Sequence, residues 1–93
     1  QVHQEPKDLV LSSGSSLKIL CFITGTNNPY LYWYQWNATA GFTLLFTSIT
    51  TGRIDPASHG QFKSSRPKDL EIILESDGVS EIDSSVWYCA ARP

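Results

Sequence analysis

Several features that direct a chain to common functional classes are missing from this sequence. Seven Lys and Arg residues stand against nine Asp and Glu, so a net charge of −2 offers no strongly basic surface for nucleic acid. No run of about 18 apolar residues occurs, and we expect no membrane-spanning segment. No stretch of ten or more residues shows a convincing helical period. Because the charge balance leaves no strongly basic surface, we do not expect nucleic acid as a partner.

Residues for catalysis and metal binding are also scarce. His3 and His59 are the only histidines, and neither lies near a cysteine or carboxylate at metal-ligand spacing. Ser, His and Asp all occur, but composition alone does not make a catalytic triad. We find no glycine loop that could bind phosphate. We therefore expect no enzymatic activity and no cofactor.

The length and the first residues indicate a small domain in its mature form. Ninety-three residues fit one domain over residues 1–93 with a modest core. The start is polar, as expected of a mature N-terminus, and does not resemble a signal peptide. Any attachment to a membrane would need an anchor outside this sequence.

Two cysteines, Cys21 and Cys89, are 68 positions apart. Free buried thiols and a bridge both fit this count, but each cysteine lies in an apolar, strand-like context, which favours the bridge. Closing so long a loop would stabilise the fold by roughly 4 kcal/mol in the chain-entropy model. A bridge indicates an extracellular setting, and the sequon Asn37-Ala38-Thr39, which predicts glycosylation of Asn37, agrees with it.

Short apolar runs separated by turn residues predict an all-β fold. The predicted strands cover 9–11, 17–23, 31–36, 42–47, 61–64, 70–74 and 86–90. A short edge strand is expected within 48–60, and 66–69 is predicted to be a turn. The outer face of the second run carries Lys18, Leu20 and Phe22. That face is either a second contact surface or a pair of apolar residues covered by neighbouring side chains.

The stretch Leu31–Trp36, with the sequence LYWYQW, is the most informative part of the chain. Alternation in a strand places Leu31, Trp33 and Gln35 on one face and the other three residues on the opposite face. Neither face is polar enough to be an ordinary solvated face. We expect the chain's own core to cover one face and a partner to cover the other.

Cys21, Trp33 twelve residues later, and Cys89 form a pattern that resembles an immunoglobulin variable domain. Residues 83–89, DSSVWYC, are similar to the Asp-Ser-Ala-x-Tyr-Tyr-Cys signature of that class. Residues 25–34, 44–48 and 65–69 resemble T-cell receptor β-chain variable segments, with an antibody light chain or another variable-type receptor as alternatives. The implied fold is a variable-type sandwich of two antiparallel sheets, with Trp33 packed in the core against the disulfide.

The sequence departs from the family pattern at three places. Trp87 takes the tyrosine-corner position, where an indole N–H cannot copy the bond of a tyrosine hydroxyl. Trp36 replaces a glutamine that pairs with its counterpart across two variable domains. The Phe-Gly-x-Gly motif and the final strand are absent, as in an unrearranged segment or a truncated chain.

The resemblance also implies a pairing face on the outside of one sheet. Its predicted members are Tyr32, Tyr34, Trp36, Phe42, Leu44, Phe46 and Tyr88. Such a patch would approach or exceed the roughly 300–600 Å² that is usual for a monomer, unless these residues cover one another. The implied partner is an α-type variable domain, or a second copy of this chain that also uses the open edge of the last strand.

Loops at one end of the sandwich are the implied ligand-contact surface. The predicted contact residues are Thr26, Asn27, Asn28, Tyr30, Ser48, Thr50, Thr51 and Arg53. The implied ligand is a peptide held by a major-histocompatibility (MHC) molecule, and the implied location is the extracellular side of the plasma membrane. The alternative function is a variable-type adhesion or innate immune receptor with germline-fixed recognition.

Overall fold

The computed structural model describes residues 1–5, 16–38, 40–57, 61–77 and 85–93. Every regular element within these ranges is a β-strand. The strands are β1 (Val2–Glu5), β2 (Leu17–Ile23), β3 (Tyr30–Asn37), β4 (Gly41–Ser48), β5 (Asp55–Pro56), β6 (Phe62–Lys68), β7 (Glu71–Ser76) and β8 (Val86–Arg92). The strand predicted at 9–11 lies outside the described residues.

The strands form two antiparallel four-stranded sheets. The first sheet has the order β1-β2-β7-β6, and the second has the order β5-β4-β3-β8. Alternation sets the inner faces, because the buried residues of β2 and β7 recur at every second position. The prediction of an all-β variable-type sandwich is confirmed.

A disulfide joins the two sheets through the middle of the core. Cys21 on β2 bonds Cys89 on β8, with 6.3 Å between their Cα atoms. Trp33 lies directly opposite Cys89 on the neighbouring strand and is fully buried. Among the described residues, the other members of this apolar core are Leu17, Ile19, Ile23, Leu31, Leu45, Phe46, Ile72, Leu74 and Trp87.

A β-bulge on β4 changes one predicted assignment. Trp33 pairs with Phe46 and the next residue, Tyr34, pairs with Leu44, so Leu45 is the extra residue. An extra residue reverses the alternation beyond it. Phe46 therefore lies in the core with 7% exposure, and its predicted place on the pairing face is wrong.

The β6 strand is longer than the sequence predicted. It continues through Arg66 and Pro67 to Lys68, which were predicted as a turn, and the turn begins at Asp69. Ser65 still pairs with Ile73, but the register shifts before Lys68 pairs with Glu71. Proline is tolerated here because β6 is an edge strand of the first sheet.

The indole of Trp87 occupies the tyrosine-corner position without a hydrogen bond to any described residue. Its Nε1 is buried and has no acceptor there, and its ring packs 6.2 Å from the ring of Phe62. The residues shortly upstream, where a corner tyrosine would find its acceptor, lie outside the described residues, so the loss of the tyrosine-type bond stays a prediction.

Candidate pairing face and loop end

The outer side of the second sheet presents a continuous apolar surface. Strand pairing places Tyr34 between Leu44 and Tyr88, and Trp36 between Phe42 and Val86. We define the aromatic face as these six residues together with Tyr32, which lies opposite Ala90. Six of the seven residues predicted for a pairing face therefore share one surface, and Val86 joins them.

Ring contacts connect much of the aromatic face. The ring centroid of Phe42 lies 6.4 Å from that of Trp36 and 6.0 Å from that of Tyr88. Tyr32 and Tyr34 are 6.2 Å apart. These separations are in the range that aromatic pairs favour, so the rings hold one another in place as a preformed surface.

Exposure differs sharply among members of the aromatic face. Phe42 is 67% exposed, Tyr88 44% and Val86 42%, whereas Trp36 is half-buried beside Phe42. None of the members carries a charge. Exposed, uncharged aromatic side chains are typical of the centre of a protein interface.

The outer edge of β8 is partly occupied by a side chain of β1. Gln4 Nε2 donates a hydrogen bond to Trp87 O at 2.9 Å, and Gln4 Oε1 accepts one from Cys89 N at 2.9 Å. An incoming strand would have to displace these two bonds to pair with Trp87 and Cys89. Edge pairing between copies of the chain is therefore opposed at this point.

Three connections lie together at one end of the sandwich and form what we call the loop end. They are residues 24–29 between β2 and β3, residues 49–54 between β4 and β5, and the turn 69–70 between β6 and β7. Most predicted contact residues lie here and are exposed; these are Asn27, Asn28, Thr50, Thr51 and Arg53, while Thr26 is half-buried. Tyr30 is exposed too, and we count it with the loop end because it is the first residue of β3, directly after the connection 24–29.

Tyr30 and Arg92 form a contact at the loop end that the sequence did not indicate. The two residues pair across β3 and β8, and the Arg92 guanidinium lies 5.4 Å from the centroid of the Tyr30 ring. That distance allows a cation–π interaction. Tyr30 is nevertheless 40% exposed and available to a ligand.

Ser48 was predicted to contact a ligand, but it is fully buried. Its Oγ lies 2.6 Å from Arg53 O and 3.1 Å from Thr50 O, within the turn that follows β4. A small hydroxyl at this position satisfies backbone carbonyls of the turn. Its predicted role in ligand contact is wrong, and it supports the exposed residues instead.

Arg66 is a buried charged residue at the loop end that the sequence reasoning missed. Its side chain is inaccessible to solvent and donates to Pro29 O (2.9 Å), Ser48 O (3.0 Å) and Asp69 O (2.6 Å). Burial lowers the pKa of the guanidinium, and the carboxylate of Asp69, 3.2 Å away, opposes that shift. The charge persists, because an arginine side chain stays protonated in proteins.

A simple signal could have identified Arg66. Phe62, Ser64 and Arg66 alternate along β6, and Phe62 packs against the core. Counting by twos from Phe62 places Arg66 on the inward face. The predicted turn at 66–69 hid this pattern, because a turn residue is expected to be exposed.

Asn37 of the predicted glycosylation site lies at the end of β3. Its Oδ1 accepts a hydrogen bond of 2.7 Å from the backbone N–H of Ala40, and Thr39 lies outside the described residues. Glycosylation of Asn37 stays a prediction.

The described residues also bear on metal binding and membrane insertion. Among them, no three or more His, Cys, Asp and Glu side chains are grouped to hold a metal ion. The same residues include no helix with the length and apolar character needed to cross a bilayer.

Sequence comparisons relate the chain to antigen-receptor segments. It is 40% identical over 89 residues to T cell receptor beta variable 30 of Homo sapiens, covering 96% of this chain and 80% of that protein. It is 33% identical over 88 residues to human T cell receptor gamma variable 3, covering 90% and 75%. Identity to the T-cell receptor alpha chain V region RL-5 of Oryctolagus cuniculus is 32% over 92 residues, covering 98% and 67%. No protein-family model matches the chain.

Proposed function

The chain belongs to the T-cell receptor variable segments, a family of receptors and not of enzymes, and we propose that it is the antigen-recognition domain of one receptor chain. In this proposal the aromatic face pairs with a second variable domain of the α type. The loop end contacts a peptide held by an MHC molecule. The domain acts at the extracellular side of the plasma membrane, as its disulfide favours.

The exposure of the aromatic face is the observation that carries the proposal. Phe42, Val86 and Tyr88 expose large fractions of apolar or aromatic surface on one side of the second sheet, and no member of the aromatic face carries a charge. Water contact with such a surface is unfavourable, and a partner of similar character would remove it. The chain's relatives include T-cell receptor α-chain and β-chain variable segments, so an α-chain variable domain is a suitable partner.

The loop end supports the second half of the proposal. Asn28, Thr50 and Thr51 are exposed polar side chains, and Tyr30 adds a rigid amphipathic ring. This mixture of aromatic anchors and adaptable polar groups is typical of binding loops. No observation specifically favours the adhesion or innate-receptor alternative.

Two tyrosines of nearly equal exposure allow the two surfaces to be tested separately. Tyr88 belongs to the aromatic face at 44% exposure, and Tyr30 to the loop end at 40%. Tyr88→Ser is expected to weaken association with a T-cell receptor α-chain variable domain about tenfold or more, because an exposed aromatic is removed from the interface centre. Analytical ultracentrifugation of the mixed domains measures this.

Tyr30→Ser is the matched control for pairing and the test variant for ligand contact. It should leave the association with the α-chain domain unchanged. It should weaken binding to a peptide–MHC molecule selected by the paired wild-type domains from a displayed peptide library, measured by surface plasmon resonance. Equal pairing of Tyr88→Ser and wild type would refute the pairing role. If no member of the library binds the paired domains, or if Tyr30→Ser binds as well as wild type, the ligand role of the loops is refuted.

A further inference from the structure

The loop end is built around the buried guanidinium of Arg66. Its Nη2 donates to Pro29 O, just before Tyr30, and its Nη1 donates to both the backbone and the hydroxyl oxygens of Ser48. Its Nε donates to Asp69 O at 3.0 Å. One side chain therefore bonds backbone groups at the margins of all three connections.

Each of these partners holds a further part of its own loop. Ser48 Oγ lies within hydrogen-bond distance of Thr50 O and Arg53 O. Asp69 Oδ2 accepts a 2.9 Å bond from the backbone N–H of Asn28, whose positive φ of 51° is uncommon for a residue other than glycine. The bonds therefore run without a break from the loop 24–29, through Arg66, to the turn 49–54.

The main chain of Arg66 strengthens the same connection. Gly52 N donates a hydrogen bond of 3.1 Å to Arg66 O, so β6 holds the tip of the turn through backbone and side chain together. The planar fork of a guanidinium can satisfy several acceptors that diverge from one another, which a lysine ammonium cannot reach at once. Loss of the fork would leave buried carbonyl oxygens without donors.

We propose that Arg66 is a positioning residue that couples the loop 24–29 to the turn 49–54, so that Asn28, Tyr30 and Arg53 are presented as one preformed set. A change in one loop is then transmitted to the other through the guanidinium. The consequence for ligand recognition rests on the proposed function. The coupling itself is a property of the chain alone.

The first experiment compares Arg66→Lys with Arg53→Lys, the same substitution at an exposed arginine of the same end. Amide hydrogen exchange of the ¹⁵N-labelled chain is followed at Asn28 and Gly52 and compared with the core amide of Trp33. Arg66→Lys is expected to speed exchange at both loop amides about tenfold relative to Trp33, as expected for lost bonds to a charged group. Arg53→Lys should leave both loop amides within about twofold of wild type, because its ion pair is exposed.

Relative rates separate positioning from a general loss of stability. A purely structural role would speed exchange at Trp33 by the same factor as at Asn28 and Gly52. That outcome, or unchanged loop amides in Arg66→Lys, would overturn the proposal.

A second variant tests the coupling should Arg66→Lys fail to fold. The Asp69 carboxylate bonds Asn28 and Arg66, whereas the turn 49–54 is joined to Arg66. Asp69→Ala is expected to speed exchange at Gly52 as well as at Asn28. Faster exchange at Asn28 alone would show that the loops are independent and would overturn the proposal. Neither measurement needs a ligand or a pairing domain, so its outcome is separate from that of the proposed function.

Discussion

The two sheets of this domain both carry apolar side chains on their outer faces, but among the described residues only the second sheet leaves some of them exposed. On the second sheet, Phe42 and Tyr88 are 67% and 44% exposed. On the first sheet, the corresponding apolar residues Leu20, Phe22 and Ile73 are all half-buried. Apolar composition at outward positions therefore does not by itself identify an interaction surface.

Neighbouring strands explain the cover on the first sheet. His3 stacks on Phe22 with ring centroids 4.8 Å apart. Leu20 lies opposite Ile73, and Lys18 opposite Glu75, so charged residues flank the apolar pair. Of the two readings of this face, the structure favours apolar residues covered by their neighbours.

The largest effect on pairing is predicted from a comparison of Phe→Ser substitutions on the outer faces of the two sheets. Phe42→Ser should weaken association with an α-chain variable domain about thirtyfold or more, because truncation of an interface hot spot costs about 2 kcal/mol or more. The unfolding midpoint should hardly change, since Phe42 is mostly exposed. Sedimentation velocity and thermal unfolding measure the two quantities.

Phe22→Ser is the matched variant on the first sheet. It should lower the unfolding midpoint, because it removes the ring beneath His3, and it should leave the association constant of the folded chain unchanged. If Phe22→Ser weakens pairing as much as Phe42→Ser does, the distinction between the two faces is wrong.

A smaller change is predicted for Trp36→Gln, which restores the residue that is usual in the family. Trp36 is half-buried and its ring lies edge-on to that of Phe42. We predict that Trp36 anchors the pairing surface, both directly and by supporting Phe42. Self-association of the chain, measured by equilibrium ultracentrifugation, should weaken about tenfold. Unchanged self-association would contradict the prediction that Trp36 is an anchor.

The smallest effect is predicted for His3→Ala, which uncovers Phe22 without touching the aromatic face. Loss of the stacked ring should lower the free energy of unfolding by about 1 kcal/mol or less, measured by urea denaturation. Association with an α-chain domain should stay the same. New self-association of His3→Ala would show that the cover of Phe22 is what keeps the first sheet from acting as an interface.

Much of the fold could be predicted because alternation and a few markers agree. The inward side of β2 follows from the period-two spacing of Leu17, Ile19, Cys21 and Ile23, all of which are buried. Trp33 was assigned to the core from the Cys-Trp-Cys pattern, and it is fully buried. Strand interiors are predictable where one residue in two must avoid water.

The errors at the candidate site arose where local pattern and three-dimensional packing disagree. A bulge at Leu45 places Phe46 in the core. The alternation of residues 42–47 does not indicate an extra residue. Ser48 has the composition of a contact loop, but its hydroxyl is used by the carbonyls of its own turn. Polar residues in short turns serve either purpose, and only their surroundings distinguish the two.

The sequence by itself determined the interiors of most strands, including the inward side of Cys21, and the resemblance to variable domains implied that Cys89 faces the core and that aromatic side chains gather on one outer face. The strand interiors follow from local alternation and from the cost of exposing apolar surface. Tertiary structure alone decided the register of β4 beyond its bulge, the cover of Phe22 by His3, and the burial of Arg66 among three loops. Each of these depends on groups distant in the chain, because hydrogen-bond partners and packing neighbours are chosen only when the sheets come together.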